Sequence, residues 1–264
     1  PRWLIIHGRE SEAADILAEI EGAVGTTPVS PDLPRIHLRV RSHASGWFDI
    51  ARTLFRLYPR RATLGVVLMA AQAFFYNAIF FTYALVLGRF FGIASDRIGL
   101  YLLPFAAGNF LGPLLLGRWF DTLGRRPMIA GTYALSGLLL LVTAWLFVAG
   151  VLDATTQTLA WSVVFFFASA AASSAYLTIS ESFPLEVRAL AIALFYALGT
   201  ALGGIAGPWL FGHLIGTGAR EPIAWGYVLG AALMLIAAVI ELKLGVAAER
   251  RPLEDVATPL SRVV

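Results

Sequence analysis

Six stretches of about 20 residues, almost free of charge, decide what this chain can fold into: residues 63–87, 98–116, 128–149, 159–179, 189–215 and 223–242. An α-helix needs about 20 apolar residues to cross the roughly 30 Å of hydrocarbon in a bilayer. The first four stretches hold no Asp, Glu, Lys or Arg; the fifth holds only His213 and the sixth only Glu241, each near its end. In lipid, every backbone N–H and C=O has to find its partner within the protein, which favours helices for such segments. The expected fold is all-α: a polytopic membrane protein with a bundle of six transmembrane helices.

Composition points the same way. Hydrophobic residues make up 58% of the 264 residues, mean hydropathy is +0.73, and only 14% of residues are charged, against about 25% in soluble domains. The net charge of +3 does not indicate nucleic acid, because the basic residues are not interleaved with aromatics on a recognisable surface. With no cysteine, disulfides, thiolate metal sites and thiol nucleophiles are excluded. An enzyme would need a nucleophile, a metal cluster or paired carboxylates at membrane depth, and the stretches supply none. No cofactor is expected.

The basic residues are divided unevenly. Seventeen of the 20 Lys and Arg lie before the first stretch, in the second-to-third and fourth-to-fifth connections, or after the sixth. Only Arg89, Arg97 and Arg220 lie on the other side. The positive-inside rule then predicts both termini in the cytoplasm of a multi-pass protein of the plasma or inner membrane. Three regions follow: a cytoplasmic linker over 1–61, a transmembrane domain over 62–244 and a cytoplasmic tail over 245–264. Within the linker, 11–24 reads as an amphipathic helix with Ile16, Leu17 and Ile20 on one face, 25–34 as loop, and 35–41 as a short strand. Residues 47–58 repeat apolar side chains at helical spacing beside Arg52 and Arg56, which suits a helix on the inner leaflet or one packed on the bundle.

The second-to-third connection reads Gly117-Arg-Trp-Phe-Asp121-Thr-Leu-Gly124-Arg125-Arg126-Pro127. Gly124 permits a tight reversal with positive φ, Asp121 suits the exposed amides of the next helix start, and Pro127 suits its first turn. This spacing resembles the G-x-x-x-D-x-x-G-R-R loop of the major facilitator superfamily. After the fourth stretch, Glu181-Ser-Phe-Pro184-Leu-Glu-Val-Arg188 resembles the E-x-F-P-x-x-x-R segment that follows the tenth helix of sugar porters and related metabolite symporters. The first residues, Pro1-Arg2-Trp3-Leu4 with Gly8-Arg9 and Glu12-Ala13, resemble the P-E-S-P-R-W-L…G-R…E-A stretch after a sugar porter's sixth helix. Three markers, each at the matching helix boundary, cover the chain.

The resemblance implies a secondary active transporter of a small polar metabolite, working by alternating access in the lipid bilayer. It also implies an upstream six-helix half, a binding cavity between the halves, and a proton-linked carboxylate in that upstream half. In such transporters the inside loops form a salt-bridge network that closes the gate. Carried over, its members are Asp121, Arg125, Arg126, Glu181 and Arg188, with Gly117, Gly124 and Pro184 shaping the turns. As ordinary exposed pairs they would contribute only about 0–1 kcal/mol each.

Residues 71–77 resemble the sugar porters' Q-Q-x-S-G-x-N. Gln72 and Asn77 match it, whereas Ala71, Phe75 and Tyr76 depart from it. Asn109, midway along the second stretch, and Tyr176, where sugar porters have tryptophan, complete the expected substrate-binding set of Gln72, Tyr76, Asn77, Asn109 and Tyr176. Such side chains also join helices to one another. Gly108 and Gly112, and Gly199, Gly203 and Gly207, recur every fourth residue with Pro113 and Pro208 following, a pattern for close helix packing with kinks. The alternatives to such a secondary active transporter are a transporter-like membrane sensor and a drug or metabolite efflux protein of the same superfamily.

Overall fold

A computed structural model describes residues 2–25, 47–80, 82–184 and 186–258. Two short helices, α1 (Arg2–Ile6) and α2 (Glu10–Val24), precede α3 (Trp47–Leu57). The loop over 26–34 and the strand expected over 35–41 lie outside the described residues. The bundle then runs through α4 (Pro59–Ile79), α5 (Tyr83–Phe91), α6 (Ile98–Thr122), α7 (Arg125–Val148), α8 (Ala154–Ser182), α9 (Arg188–Gly199), a π-helical segment (Thr200–Gly204), α10 (Ile205–Gly216) and α11 (Arg220–Leu244). A single turn, α12 (Leu253–Val256), follows. No strand occurs among the described residues. Among the described residues, six helical spans are long and apolar enough to cross a membrane: Pro59–Phe91, Ile98–Thr122, Arg125–Val148, Ala154–Ser182, Arg188–Gly216 and Arg220–Leu244.

Each span is longer than its apolar run, because the helices continue for a turn into charged residues such as Arg60, Arg125 and Arg188. The first is interrupted: α4 ends at Ile79, and the Thr82 hydroxyl bonds back to the Ala78 carbonyl before α5 begins. That bond replaces part of the backbone ladder that the break would otherwise leave unsatisfied.

Small residues set the packing. α6 lies so close to α8 that a Cβ at Gly108 or Gly112 would overlap the carbonyl oxygens of Ser162 and Phe166. The fifth span presses on α4 in the same way, where a Cβ at Gly199 would stand 2.8 Å from Met69 and one at Gly207 2.9 Å from the Ala78 nitrogen. Between them Gly203 sits in the π-helical segment, the kind of single-turn defect that shifts the register of a helix face. Pro104 and Pro113 lie within α6 and Pro208 within α10. The core that these contacts enclose is aromatic: Phe105 packs tilted against Phe165 at 4.3 Å, and Tyr83 lies between Phe105 and Trp161. Offset and tilted pairs of this kind add about 0.5–1.5 kcal/mol beyond area burial.

Of the two places open to the third helix, α3 takes the one on the bundle: Leu54 is fully buried and the Phe55 ring meets the edge of Phe195 at 6.0 Å. α2 behaves differently. Its apolar face, with Ile16, Leu17 and Ile20, is exposed, and only Ala13 is buried.

The start of α8 is fixed by a capping box. Asp153 Oδ1 accepts from the Thr156 amide at 2.7 Å, and Thr156 Oγ1 accepts from the Asp153 amide at 2.9 Å. The Thr156 hydrogen bonds hold the Asp153 carboxyl below its ordinary range. A depressed folded-state value means that the stabilisation is present above the unfolded value and is lost as pH falls through the folded one. Asp153→Ala should therefore lower the melting temperature at neutral pH. That deficit should disappear below the carboxylate range, and Asp153→Asn should retain most of the cap; thermal unfolding in detergent at both pH values checks this.

Candidate functional site: an ion cluster and a polar seam

The turn between α6 and α7 is two residues long, and Gly124 makes it possible with φ +110° and ψ 150°. Few side chains tolerate that backbone. The reversal places Arg125 on the first position of α7, one turn beyond Asp121, and Arg125 Nη1 reaches Asp121 Oδ1 at 2.8 Å. The other side of the guanidinium forks onto Glu181 near the end of α8, with Nε–Oε2 at 3.1 Å and Nη2–Oε1 at 2.9 Å. The Arg125 amide is directed at Glu249 Oε2, 3.4 Å away in the chain after α11. Three carboxylates from separate segments thus converge on the N-terminus of α7, where the helix dipole also favours negative charge.

These contacts are unequal. The Arg125 and Glu181 side chains are each 13% exposed, whereas Asp121 is 56% exposed. A bidentate, largely buried pair is the strong form of this interaction, while an exposed pair contributes little. The Arg125–Glu181 fork is therefore the main tie between the α6–α7 turn and α8.

Two expectations for this turn are corrected. Gly117 is not a turn residue, because α6 continues to Thr122 and buries Phe120 in the added turn. Asp121 does not take the amides at the start of α7; it binds the Arg125 side chain, and Glu249 faces the Arg125 amide instead. Gly124 and Pro184 stand at turns: Phe183 before the proline is extended, with ψ 147°, and closes α8. Arg188 donates from Nε and Nη2 to the Phe183 carbonyl at 3.4 and 3.3 Å, tying the start of α9 to that turn. Arg126 is exposed and makes no hydrogen bond or ion pair within 4 Å among the described residues.

Two members escaped the sequence reading. Glu249 is the first carboxylate after the sixth span, which was its only signal. Arg61, counted above merely as one basic residue among many, donates to the Ser182 carbonyl and, at 2.7 Å, to the Val256 carbonyl. It thereby joins the start of α4 to the end of α8 and to α12. Its guanidinium also lies over the Tyr58 ring, which meets Phe183 edge-on at 6.1 Å. Burial raises the Tyr58 phenol above its ordinary range, with Arg61 acting in the opposite direction.

From Asp121 and Arg125 a cleft of about 370 Å³ runs between α6 and α8, lined also by Gly117, Pro113 and Ser173. Deeper in the bundle is a polar seam. The Tyr76 hydroxyl donates to Asn109 Oδ1 at 2.6 Å, and the Ser169 hydroxyl donates to the Asn109 carbonyl, so α4, α6 and α8 meet there. Asn77 is half-buried and donates to the Ala73 carbonyl one turn back, at 2.7 Å. Gln72 is buried in the bundle, with Nε2 3.8 Å from the Met69 sulfur. Tyr176 is exposed, seven residues along α8 from Ser169 and so on the same face, with Tyr196 at 6.1 Å. The structure brings Tyr76 and Asn109 into contact, turns the Asn77 amide toward Gly204 of the fifth span, and keeps Gln72 and Tyr176 apart. No group of His, Asp and Glu among the described residues is arranged to hold a metal ion.

Comparison with known proteins agrees with this architecture. The chain is 28% identical over 218 residues to "Sugar transporter ERD6-like 12" of Arabidopsis thaliana, covering 78% of this chain and 45% of that protein. It is 27% identical over 199 residues to "Plastidic glucose transporter 4" of the same plant, covering 74% of this chain and 35% of that protein. The chain thus spans less than half the length of these curated relatives. The family described as sugar (and other) transporter matches residues 1–258. Matched over nearly its whole length, in a bundle whose spans and turns fit that match, this chain belongs to the sugar (and other) transporter family.

Proposed function

We propose that the chain forms the part of a secondary active transporter that carries the cytoplasmic gate and one wall of the substrate cavity, moving a small polar metabolite by alternating access. The observation that carries this reading is the Arg125–Glu181 fork, a breakable charged tie between two helix ends at the mouth of a cleft. A gate needs an element with two discrete arrangements, and an ion pair that is solvated on one side of the cycle and buried on the other supplies one. Asp121, Arg188, Glu249 and Arg61 steady the same junction, while Arg126 stands ready beside it.

The substrate wall is the seam of Tyr76, Asn77 and Asn109, with Gln72 behind it and Tyr176 nearer the gate. Amides and phenols paired to one another can exchange those bonds for the hydroxyls of a bound solute at little net cost. Sugars come first among the candidate substrates, a reading supported by one relative named as a sugar transporter and another named as a glucose transporter; organic acids of similar size come second. In the full-length protein, transport is coupled to protons through a carboxylate outside this chain. The full-length protein, reconstituted in vesicles, should take up radiolabelled monosaccharide in a saturable way and show counterflow. Saturable binding without flux would identify a sensor instead, and uptake that never saturates a channel.

In this reading both ends of the chain lie in the cytoplasm of a plasma or inner membrane. Single cysteines at Ala94 and Thr217, introduced into the full-length protein without other cysteines, should react with an impermeant maleimide added outside intact cells. Cysteines at Thr122 and Arg251 should react only after permeabilisation. The reverse pattern would invert the topology.

A further inference from the structure

Glu241 is fully buried, and neither of its carboxylate oxygens has a hydrogen-bond partner. It lies one turn before the end of α11, where the helix dipole is unfavourable to a negative charge. Gly245, one turn later, leaves the space it occupies, since a Cβ there would overlap Glu241 Oε1. A buried carboxylate without a partner is costly.

The register of α7 against α11 shows what is at hand. At one end the Arg220 guanidinium at the start of α11 donates to the Phe147 carbonyl at the end of α7, at 2.9 Å. Midway, a Cβ on Gly137 would stand 3.0 Å from the Ala231 carbonyl. The helices are therefore antiparallel, and Glu241 comes level with Arg126 and Pro127. Eleven residues separate Arg126 from Gly137, close to three full turns, so Arg126 lies on the face of α7 that meets α11. Tyr133, also on α7, faces the carboxylate as well, but its hydroxyl is engaged with the Leu68 carbonyl at 2.9 Å. Arg126 is exposed and has no ion pair among the described residues, Arg125 having taken the cluster.

We propose that Arg126 and Glu241 form a second ion pair of the gate, made when the Arg125–Glu181 fork is broken and locking α7 onto α11 in the open conformation. The tandem arginines then divide the work: Arg125 holds the cytoplasmic side closed and Arg126 holds it open. This rests on the gate reading above, but it predicts an effect of opposite sign. In the full-length transporter in nanodiscs, a cysteine at Ser173, in the cleft, reports gate opening by its rate of maleimide labelling. Arg125→Ala should raise that rate; Arg126→Ala and Glu241→Gln should each lower it, by roughly tenfold or more for loss of a charged hydrogen bond. The double variant should fall no further than either single one, and Arg126→Lys should restore part of the rate. Arg126 is exposed, so its replacement tests the pair without disturbing the core. Unchanged or faster labelling in Arg126→Ala, or strictly additive effects in the double variant, would overturn the pair even if Arg125→Ala behaves as a gate residue should. No response to Arg125→Ala would instead remove the gate reading itself.

Discussion

Replacing Arg125 with alanine should abolish most transport while leaving the protein inserted in the membrane and folded. The fork to Glu181 is nearly buried, and breaking a buried pair by removing one partner costs about 3–5 kcal/mol, because the remaining charge loses its compensation. With each side chain 13% exposed, the lower end applies, and about 3 kcal/mol shifts a two-state equilibrium by roughly a hundredfold. The closed-gate conformation would become the minor state, and a cycle that has to pass through it would slow in proportion. Glu181→Ala should act alike, and the double variant should be little worse than either, since both remove one pair. Asp121→Ala should be mild, because that carboxylate is more than half exposed. Initial rates of uptake, normalised to folded protein, provide the test; additive losses would mean that Arg125 and Glu181 act separately. The charge-swapped protein, Arg125→Glu with Glu181→Arg, should recover part of the rate, limited by Asp121 and Glu249, which would then face a like charge.

Gly112→Leu should prevent the bundle from forming at all. The modest overpacking usually seen in cores costs about 1–3 kcal/mol, but it displaces flexible side chains. At Gly112 even the first carbon would overlap the backbone carbonyl of Phe166, so α6 and α8 would have to separate along their length. Separation would open the Phe105–Phe165 pair and the Tyr76–Asn109–Ser169 seam, both of which bridge these helices. The expected outcome is loss of the monodisperse peak in detergent gel filtration and degradation in cells. Gly117→Leu, one helical turn and a residue further along α6 with open space around its Cβ, is the control and should behave as wild type. Equal tolerance at both sites would contradict the close α6–α8 approach.

Much of this molecule is decided by local chemistry and was therefore readable along the chain. Apolar runs long enough to span hydrocarbon fix the six spans, since no other structure satisfies the backbone there. Gly124 and Pro184 mark turns because their backbones exclude alternatives, and the four-residue glycine spacings mark helix faces that allow close approach. The Asp121–Arg125 contact was also within reach of the sequence, because it joins neighbouring turns across a two-residue reversal.

What tertiary structure alone decided is which distant groups meet. Glu181 lies 56 residues from Arg125, and only the family resemblance put the two in one network; Glu249 lies 124 residues away, and nothing in the sequence ranks it above other carboxylates. The same holds for Arg61, whose partners are backbone carbonyls 121 and 195 residues away, groups that carry no sequence signal. Gln72 and Asn77 share one short stretch, yet one is turned into the bundle beside Met69 and the other stays half-buried against Gly204, because the crossing of α4 with its neighbours determines which arc of the helix is covered. Glu241, in sequence an acid near a helix end that could have faced water, is closed off by α7, because the glycines at 137 and 245 let backbone and carboxylate occupy space that a side chain would have filled. The chain's chemistry determines that it lies in a membrane and where it turns; the approach of its helices, set by small residues far apart in sequence, determines which charges are paired and which are left waiting for a partner.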